Sequence, residues 1–211
     1  MAERVGGHLE LLDYRRRVHH LYARVRELSA SDAAAAHRLW RTERDALFRD
    51  HPQSAFDDDE RRAFTGLRYF PYDPRFRFTA AVRTDVEAER FEVNTSDGAT
   101  MALKRFGAVE LPVGRLALYW IDVYGGGVFL SFRDRTSGTE TYGGGRYLLD
   151  TVKGADLGST APGALILDFN FAYHPSCHYD DVWSCPLAPR ENWLSERIEA
   201  GERSYAAGGH S

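Results

Sequence analysis

The sequence contains little lysine and no long apolar run. Lys104 and Lys153 are the only lysines, and a codon bias toward GC-rich triplets explains the arginine excess more simply than a need for anion contacts. The 27 basic and 31 acidic residues give a net charge of -4. A mildly acidic protein is a poor candidate for binding nucleic acid or a membrane surface through charge alone. No apolar run approaches the ~20 residues that a membrane span needs.

Cysteine is equally scarce. Two cysteines in 211 residues do not build a disulfide framework. The N-terminal sequence lacks the apolar core of a secretory signal. We therefore expect a soluble cytoplasmic protein that binds neither nucleic acid nor membrane.

The first third of the sequence has the periodicity of helices. A single stripe on the first helix is formed by the apolar positions 11, 14, 18, 21, 25 and 28. Ser31 or Asp32 can cap a second helix, which should end before Pro52. The acidic residues 57–60 indicate the start of a third helix. The solvent face of this layer is the expected place for His8, His19, His20 and His37.

From about residue 68 the apolar period changes to two, which is typical of strands. The candidate strands are 76–82, 89–94, 99–106, 115–123, 127–132, 145–150 and 164–171. Turn residues rather than helices separate them, so the sequence predicts an antiparallel core. The predicted fold is α+β, one domain over 1–211. A helical N-terminal layer (1–66) packs on a β-barrel or β-sandwich core of about seven strands (67–188), followed by a short C-terminal helix (189–204).

Residues 132–148 join two predicted strands and exceed the length that a hairpin needs. Hydroxyls at Thr136 and Ser137 follow Asp134, and three glycines precede Arg146. Backbone amides beside an arginine can hold a phosphate or carboxylate, so this segment is a candidate ligand loop. A purely structural hairpin is the alternative. Neither a phosphate-binding loop pattern nor a dinucleotide fingerprint is present.

The segment 167–186 is the second informative stretch. On a strand, Asp168 and Asn170 would share one face, where they either line a cavity or cap a turn. Four ligand types follow, at His174, Cys177, His178 and Cys185, but their spacing is not a compact zinc pattern. The cysteines can also be read as a disulfide, as redox or nucleophilic thiols, or as buried structural thiols.

Other familiar chemistry finds little support in the sequence. No Gly-x-Ser-x-Gly elbow supports a serine nucleophile. Glu191 and Asn192 follow Pro189, where we expect them to serve the first turn of the last helix. These residues assign no reaction, no catalytic group and no cofactor.

Several motifs together resemble a bacterial and archaeal domain-of-unknown-function family, the one catalogued under 1684. The resemblance is carried by residues 66–74, 134–138, 141–148, 167–170, 185–187 and 191–192. It implies no particular activity. It implies as site candidates the residues at matching motif positions, namely Asp134, Thr136, Ser137, Gly138, Tyr142, Arg146, Asp168, Asn170, Tyr173, Cys177, Cys185 and Asn192. His174 and His178 stand outside the pattern, which weakens the zinc reading.

Two hypotheses follow. In the first, the stretches 134–146 and 168–173 line a pocket for a small phosphate- or carboxylate-bearing molecule. Arg146, with Thr136 and Ser137, would hold the anion. Asp168 and Asn170 would orient a polar group opposite, and Tyr142 and Tyr173 would form flat walls. A flavin would suit such a fold by analogy alone. In the second, the protein is a non-catalytic interaction or scaffold protein, and the same stretches form a structural polar network. A third possibility is a thiol-dependent redox protein that uses Cys177 and Cys185.

Overall fold

The computed structural model describes residues 7–205. Its N-terminal layer contains α1 (His8–Ser29), α2 (Ala33–Asp50) and α3 (Asp58–Ala63). Asp32 caps α2 by accepting a hydrogen bond from the backbone N–H of Ala35 (2.8 Å). Asp57 and Glu60 form a reciprocal capping box at the start of α3. The predicted helices and their start signals are therefore confirmed.

The apolar stripes of α1 and α2 pack against each other and against the strand core. Val25 and Trp40 are fully buried at this contact. The Trp40 indole N–H donates to the Tyr22 hydroxyl (3.1 Å), so the one polar atom of this large side chain is satisfied. No described helix combines the length and apolar content that crossing a membrane requires.

Residues 7–205 contain seven strands of at least five residues and two short ones. Their bounds are β1 (Arg68–Tyr69), β2 (Arg77–Ala81), β3 (Glu89–Asn94), β4 (Thr100–Leu111), β5 (Gly114–Ile121), β6 (Gly127–Phe132), β7 (Arg146–Asp150), β8 (Ala164–Asp168) and β9 (Glu202–Arg203). Strands β3 to β7 form one antiparallel sheet in sequential order. Strand β2 pairs with β8, and β1 pairs with β9.

The α+β class and the largely antiparallel sheets confirm the coarse prediction. Within the described residues, however, the hydrogen-bonded strands form no closed barrel. The main core lies under the five-stranded sheet, where Leu116, Leu118, Leu130 and Phe132 are fully buried against Leu167 of β8.

The predicted C-terminal helix is wrong. Only a single 3-10 turn forms, at Arg190–Asn192, and the following chain is extended. Its backbone pairs with residues 133–135 instead. Leu194 N–H donates to the Arg133 carbonyl (2.8 Å) and Arg135 N–H donates to the Glu196 carbonyl (3.1 Å). These long-range hydrogen bonds outweigh the local helical preference.

Two smaller expectations also need correction. Strand β8 ends at Asp168 and gives way to a 3-10 turn at Phe169–Phe171, so Asp168 and Asn170 do not share a strand face. His37 is not on the solvent face, because only 1% of its surface is exposed. Its ring packs on Trp40 and against the edge of Phe171, with centroids 5.7 and 5.3 Å away.

The buried His37 predicts a specific loss of stability in acid. Burial lowers the pKa of His37 from 6.5 to about 4, and the nearby Arg41 charge adds to the effect. The unfolded chain therefore binds this proton near pH 6.5 and the folded chain only near pH 4. Stability falls between these values as the pH decreases.

Between pH 6.5 and pH 4, the wild type should lose roughly 3 kcal/mol of unfolding free energy through His37. His37→Phe should lack this loss. Urea unfolding followed by circular dichroism at both ends of the interval measures this difference. Equal pH dependence in the two proteins would show that His37 does not contribute.

Candidate functional site

Arg146 lies at the centre of a fully buried polar network. One side of its guanidinium faces Asp134, with Nη2 3.3 Å from Oδ1. The same nitrogen donates to the Ile198 carbonyl (2.9 Å), and Nη1 donates to the carbonyls of Ala200 and Glu202. Burial lowers the pKa of Arg146, and Asp134 opposes that effect. Both terminal nitrogens are therefore engaged by the protein itself.

Asp134 also organises the loop that follows it. Its carboxylate accepts hydrogen bonds from the Thr136 hydroxyl (2.9 Å) and from the backbone N–H of Ile198 (2.7 Å). Ser137 lies next to Asp134, with its hydroxyl 3.4 Å from Oδ1. Gly138 adopts a φ of 85°, a conformation that favours glycine, while its N–H bonds to the Thr141 carbonyl. These hydroxyls therefore close the loop by internal hydrogen bonds.

Asp168 and Asn170 form a second buried network, in the turn that follows β8. Asp168 accepts from the backbone and side-chain N–H groups of Asn170 and pairs with Arg77 at 3.1 Å. Burial raises the pKa of Asp168, although these partners oppose it. The Asn170 amide brackets both backbone groups of Asp73, at 2.9 and 2.8 Å. The pair therefore caps a turn and anchors the residues before β2.

Asn192 connects β5 and β6 where their direct pairing has ended. Its side chain accepts from Ala117 N–H (2.7 Å) and donates to the carbonyls of Ala117 and Ser131. The neighbouring Glu191 accepts a hydrogen bond from the Tyr119 hydroxyl (2.7 Å). Both side chains thus serve the sheet rather than the first turn of a helix.

The two cysteines lie together beneath Tyr142. The Cys177 and Cys185 side chains lie next to each other. Cys177 Sγ also lies 3.7 Å from the Tyr142 hydroxyl oxygen. The hydrogen bond from Cys185 lowers the pKa of Cys177, and burial opposes it. Both thiols are free and almost fully buried. In the described part of the chain, no three His, Cys, Asp or Glu side chains are placed to hold a metal ion.

The glycine-rich segment of the candidate loop lines an open cleft. Gly143 and Gly144 form part of its wall together with Trp193. The guanidinium groups of Arg133 and Arg190 lie 4.2 and 5.6 Å from the Trp193 ring centre. This cleft does not include Arg146, which lies in the interior.

A separate cavity of about 320 Å³ lies between the helical layer and the strand core. Its walls come from α1, α2 and the segments around residues 173–176 and 183–185. Aromatic and aliphatic residues predominate in this lining, among them Tyr14, Val18, Leu21, Tyr22, Trp40, Phe48, Tyr147 and Tyr173. The volume lies within the ~300–1,000 Å³ that is usual for small-molecule pockets.

The charged residues of the cavity lining are all basic among the described residues: Arg15, Arg44 and Lys153. Arg44 is already paired with the buried Glu202 (2.7 Å), which also accepts from the backbone N–H of His174. Burial alone would lower the pKa of Arg44, but Glu202 and nearby tyrosines raise it well above its ordinary value. Lys153 is half exposed and 3.7 Å from Asp150, a loose contact.

Two ring N–H groups of the cavity-lining residues have no hydrogen-bond partner in the structure. His174 Nε2 accepts from the backbone N–H of Tyr142 (3.2 Å), so the proton of the neutral ring is on Nδ1, which is unpartnered. Burial lowers the pKa of His174 well below its ordinary value and keeps the ring neutral. The indole N–H of Trp183 is likewise buried and unpartnered. Buried donors of this kind are rare and call for an acceptor.

The structure thus separates the sequence candidates into several groups. Asp134, Thr136, Ser137 and Arg146 lie in one network, Asp168 and Asn170 in another, and Tyr142, Cys177 and Cys185 in a third. Only Tyr173 and Cys185 line the cavity.

Sequence reasoning did not find the remaining cavity residues. One available signal was Arg44, which follows Trp40 by four residues on the apolar stripe of α2 and therefore required a buried partner. No sequence pattern pointed to that partner, Glu202.

The Arg146 network predicts a large effect on stability. Replacing Arg146 by Met leaves the buried Asp134 without its countercharge, so we expect the free energy of unfolding to fall by about 3–5 kcal/mol. The matched control is Arg203→Met, which removes an exposed arginine from a 3.8 Å contact with Glu140 and should cost at most ~1 kcal/mol. Chemical denaturation measures both. An Arg146→Met protein of wild-type stability would show that Arg146 is free to serve a ligand.

The comparisons with known proteins agree with this architecture. The model of a family described as a protein of unknown function, DUF1684, matches residues 62–203, more than half of the chain. The chain is also similar to the solution NMR structure of an uncharacterized protein of Haloarcula marismortui, with 32% identity and a TM-score of 0.56. That match covers 86% of this chain and 98% of the archaeal one. No curated protein matches the sequence. The chain belongs to the DUF1684 family.

Proposed function

We propose that the protein binds a small organic anion with an apolar body, such as a medium-chain carboxylate, in the cavity between the helical layer and the strand core. The observation that carries the proposal is the lining itself. Aromatic and aliphatic walls are combined with basic side chains and with the unpartnered N–H groups of His174 and Trp183.

The apolar walls favour a hydrophobic body. Leu21, Tyr22 and Trp40 are buried side chains of the helical layer, and Tyr147 approaches the same cavity from β7. Burying a ligand methylene against such surfaces contributes about 0.8 kcal/mol each. A ligand with a chain of several carbons should therefore bind in this cavity more tightly than a purely polar metabolite.

The polar groups of the lining favour an anionic oxygen at one end of that body. The two unpartnered ring groups are donors, and arginine and lysine are also donors. Arg44 is neutralised by Glu202, whereas Arg15 is exposed and makes no ion pair with a described residue. Arg15 and Lys153 therefore supply the positive charge that attracts an anion, and the ring N–H groups supply hydrogen bonds.

This proposal keeps the predicted class of ligand and changes its location. Arg146, Asp168 and Asn170 act as buried structural groups, and Tyr173 and Cys185 remain as cavity residues. The scaffold alternative gains support from the same two networks, because their hydrogen bonds end on the protein's own backbone. The two readings differ in whether the cavity takes up a ligand.

A direct test compares decanoate with decanol by isothermal titration calorimetry. The two probes share an apolar chain and differ in charge, so we expect decanoate to bind at least tenfold more tightly, which corresponds to ~1.4 kcal/mol. Burial of the chain should also give a negative heat-capacity change. Equal affinity for the two probes would remove the anionic part of the proposal, and binding of neither would favour the scaffold reading.

Removing the two basic side chains of the lining that Glu202 does not neutralise should weaken binding. In the double variant Arg15→Ala/Lys153→Ala, we expect the Kd for decanoate to rise roughly tenfold while the affinity for decanol changes little. The matched control is Arg16→Ala/Lys153→Ala, because Arg16 is exposed on α1 but does not line the cavity. An equal loss in both double variants would show that Arg15 does not contact the ligand.

Filling the cavity should abolish uptake of either probe. Val18 is half-buried on α1 and lines the cavity, so Val18→Trp places an indole in the space of about 320 Å³. The control is Val123→Trp, since Val123 is 56% exposed and outside this lining. We expect titration signal with the control and none with Val18→Trp. Undiminished binding to Val18→Trp would place the ligand elsewhere, with the open cleft beside Trp193 as the next candidate.

A further inference from the structure

The paired cysteines have chemistry that the ligand cavity does not use. The protein has two cysteines, eight positions apart in the sequence, and the fold places their side chains next to each other. Cys177 belongs to a 3-10 turn at Ser176–His178, and Cys185 follows an irregular segment. Nothing in the packing of a hydrophobic core requires two thiols to meet.

The groups around Cys177 are arranged to support its thiolate. Ser96 positions Cys185, because its hydroxyl accepts from Cys185 N–H at 3.1 Å and donates its single proton to the Trp183 carbonyl at 2.8 Å. The Cys177 sulfur lies next to the Cys185 thiol and 3.7 Å from the Tyr142 hydroxyl oxygen, and that hydroxyl can donate a hydrogen bond to a thiolate. Hydrogen bonds of this kind lower the pKa of Cys177, against the effect of burial. The same contact and burial raise the pKa of Cys185.

Access to the sulfurs is narrow. Cys177 is 6% exposed and Cys185 is 3% exposed, so a protein disulfide is too large to reach either thiol. Cys185 lines the cavity and Cys177 does not, so a molecule of few atoms that enters the cavity must pass Cys185 to meet the Cys177 sulfur. The oxidant that fits this access is a small hydroperoxide.

We propose that Cys177 and Cys185 form a peroxide-reactive dithiol, in which Cys177 reduces a hydroperoxide and Cys185 completes an intramolecular disulfide. In the first step, the Cys177 thiolate attacks the terminal peroxide oxygen. An S–O bond forms, the O–O bond breaks, and the departing oxygen leaves as water or an alcohol after gaining a proton. In the second step, Cys185 attacks the sulfenic sulfur of Cys177. The S–S bond forms as the S–O bond breaks, and the oxygen leaves as water with the Cys185 proton.

The net change balances. Two thiols lose two electrons and two protons, and one hydrogen peroxide becomes two waters. A small dithiol such as dithiothreitol restores both thiols by exchange. This proposal does not rest on the ligand proposed for the cavity, and its test uses no such ligand.

The test treats reduced wild-type protein with one equivalent of hydrogen peroxide, then unfolds it in denaturant containing N-ethylmaleimide, so that buried thiols also react, and measures the intact mass. We expect the mass to fall by two hydrogens, no maleimide to be added, the chain to remain monomeric on a non-reducing gel, and dithiothreitol to reverse the change. Two alkylated thiols after an exposure that oxidises free cysteine would overturn the proposal.

Single variants then assign the two roles. In Cys185→Ser, the sulfenic acid should persist on Cys177 and be trapped as one dimedone adduct when the oxidised protein is unfolded in denaturant containing dimedone. In Cys177→Ser, Cys185 should remain a thiol and take up no dimedone. An adduct of equal yield on Cys177→Ser would contradict the assignment.

Wild-type samples quenched during the oxidation into denaturant containing dimedone, followed by peptide mapping, locate the first oxidised sulfur without relying on a variant that folds. Label on Cys177 is the expected result, and label on Cys185 would overturn the assignment.

Discussion

The rest of this structure depends on a buried arginine. Arg146 occupies the fully enclosed space beside Phe132, where Asp134 balances its charge and its two terminal nitrogens donate to the carbonyls of Ile198, Ala200 and Glu202 in the C-terminal backbone. A buried guanidinium destabilises the folded state unless it is hydrogen-bonded, so the need for these hydrogen bonds fixes the path of residues 198–202. Gly201 lets this segment pack closely against the core. Its φ is 80°, and a Cβ atom at this position would lie 2.6 Å from the carbonyl oxygens of Ala172 and Phe169.

The position of residues 198–202 also determines part of the cavity wall. Holding residues 198–202 in place carries Glu202 into the interior, where it pairs with Arg44 of α2 and accepts hydrogen bonds from Tyr179 and His174 N–H. One carboxylate thus joins the helical layer to the strand core. The cavity is the space left between these two layers, and Arg44 and His174 of its lining are bonded to Glu202 at this junction. The Arg146 network therefore helps to shape the proposed binding site, because it positions Glu202.

Much of the fold was predictable because it is encoded locally. The stripes of α1 and α2, the cap at Asp32 and the turn glycines between strands each act over a few residues, and the structure confirms the elements that they predict. The C-terminal helix failed as a prediction because the backbone of residues 192–198 is bonded to residues 133–135 and to the side chains of Asp134 and Arg146, contacts that no local pattern contains. His37 was misplaced for the same reason: an aromatic cluster from other segments covers it.

The sequence identified the candidate residues by their chemical type but not by their location in the fold. Sequence reasoning selected Asp134, Arg146 and Asn170 for their polar character, and all three are buried in the interior. It could not show that their partners are backbone groups more than 50 residues away. The cavity is lined largely by apolar helix residues, which look like ordinary core in a sequence.

The central claim is that the cavity takes an anionic ligand against its unpartnered donors, and the indole N–H of Trp183 reports on this most directly. A two-dimensional 1H–15N NMR spectrum resolves the indole groups of the four tryptophans, and Trp183→Phe assigns the relevant signal. On titration with decanoate, the Trp183 signal should shift strongly and saturably, whereas the indole signal of exposed Trp120 should stay in place. An unmoved Trp183 signal at saturating decanoate would contradict the account.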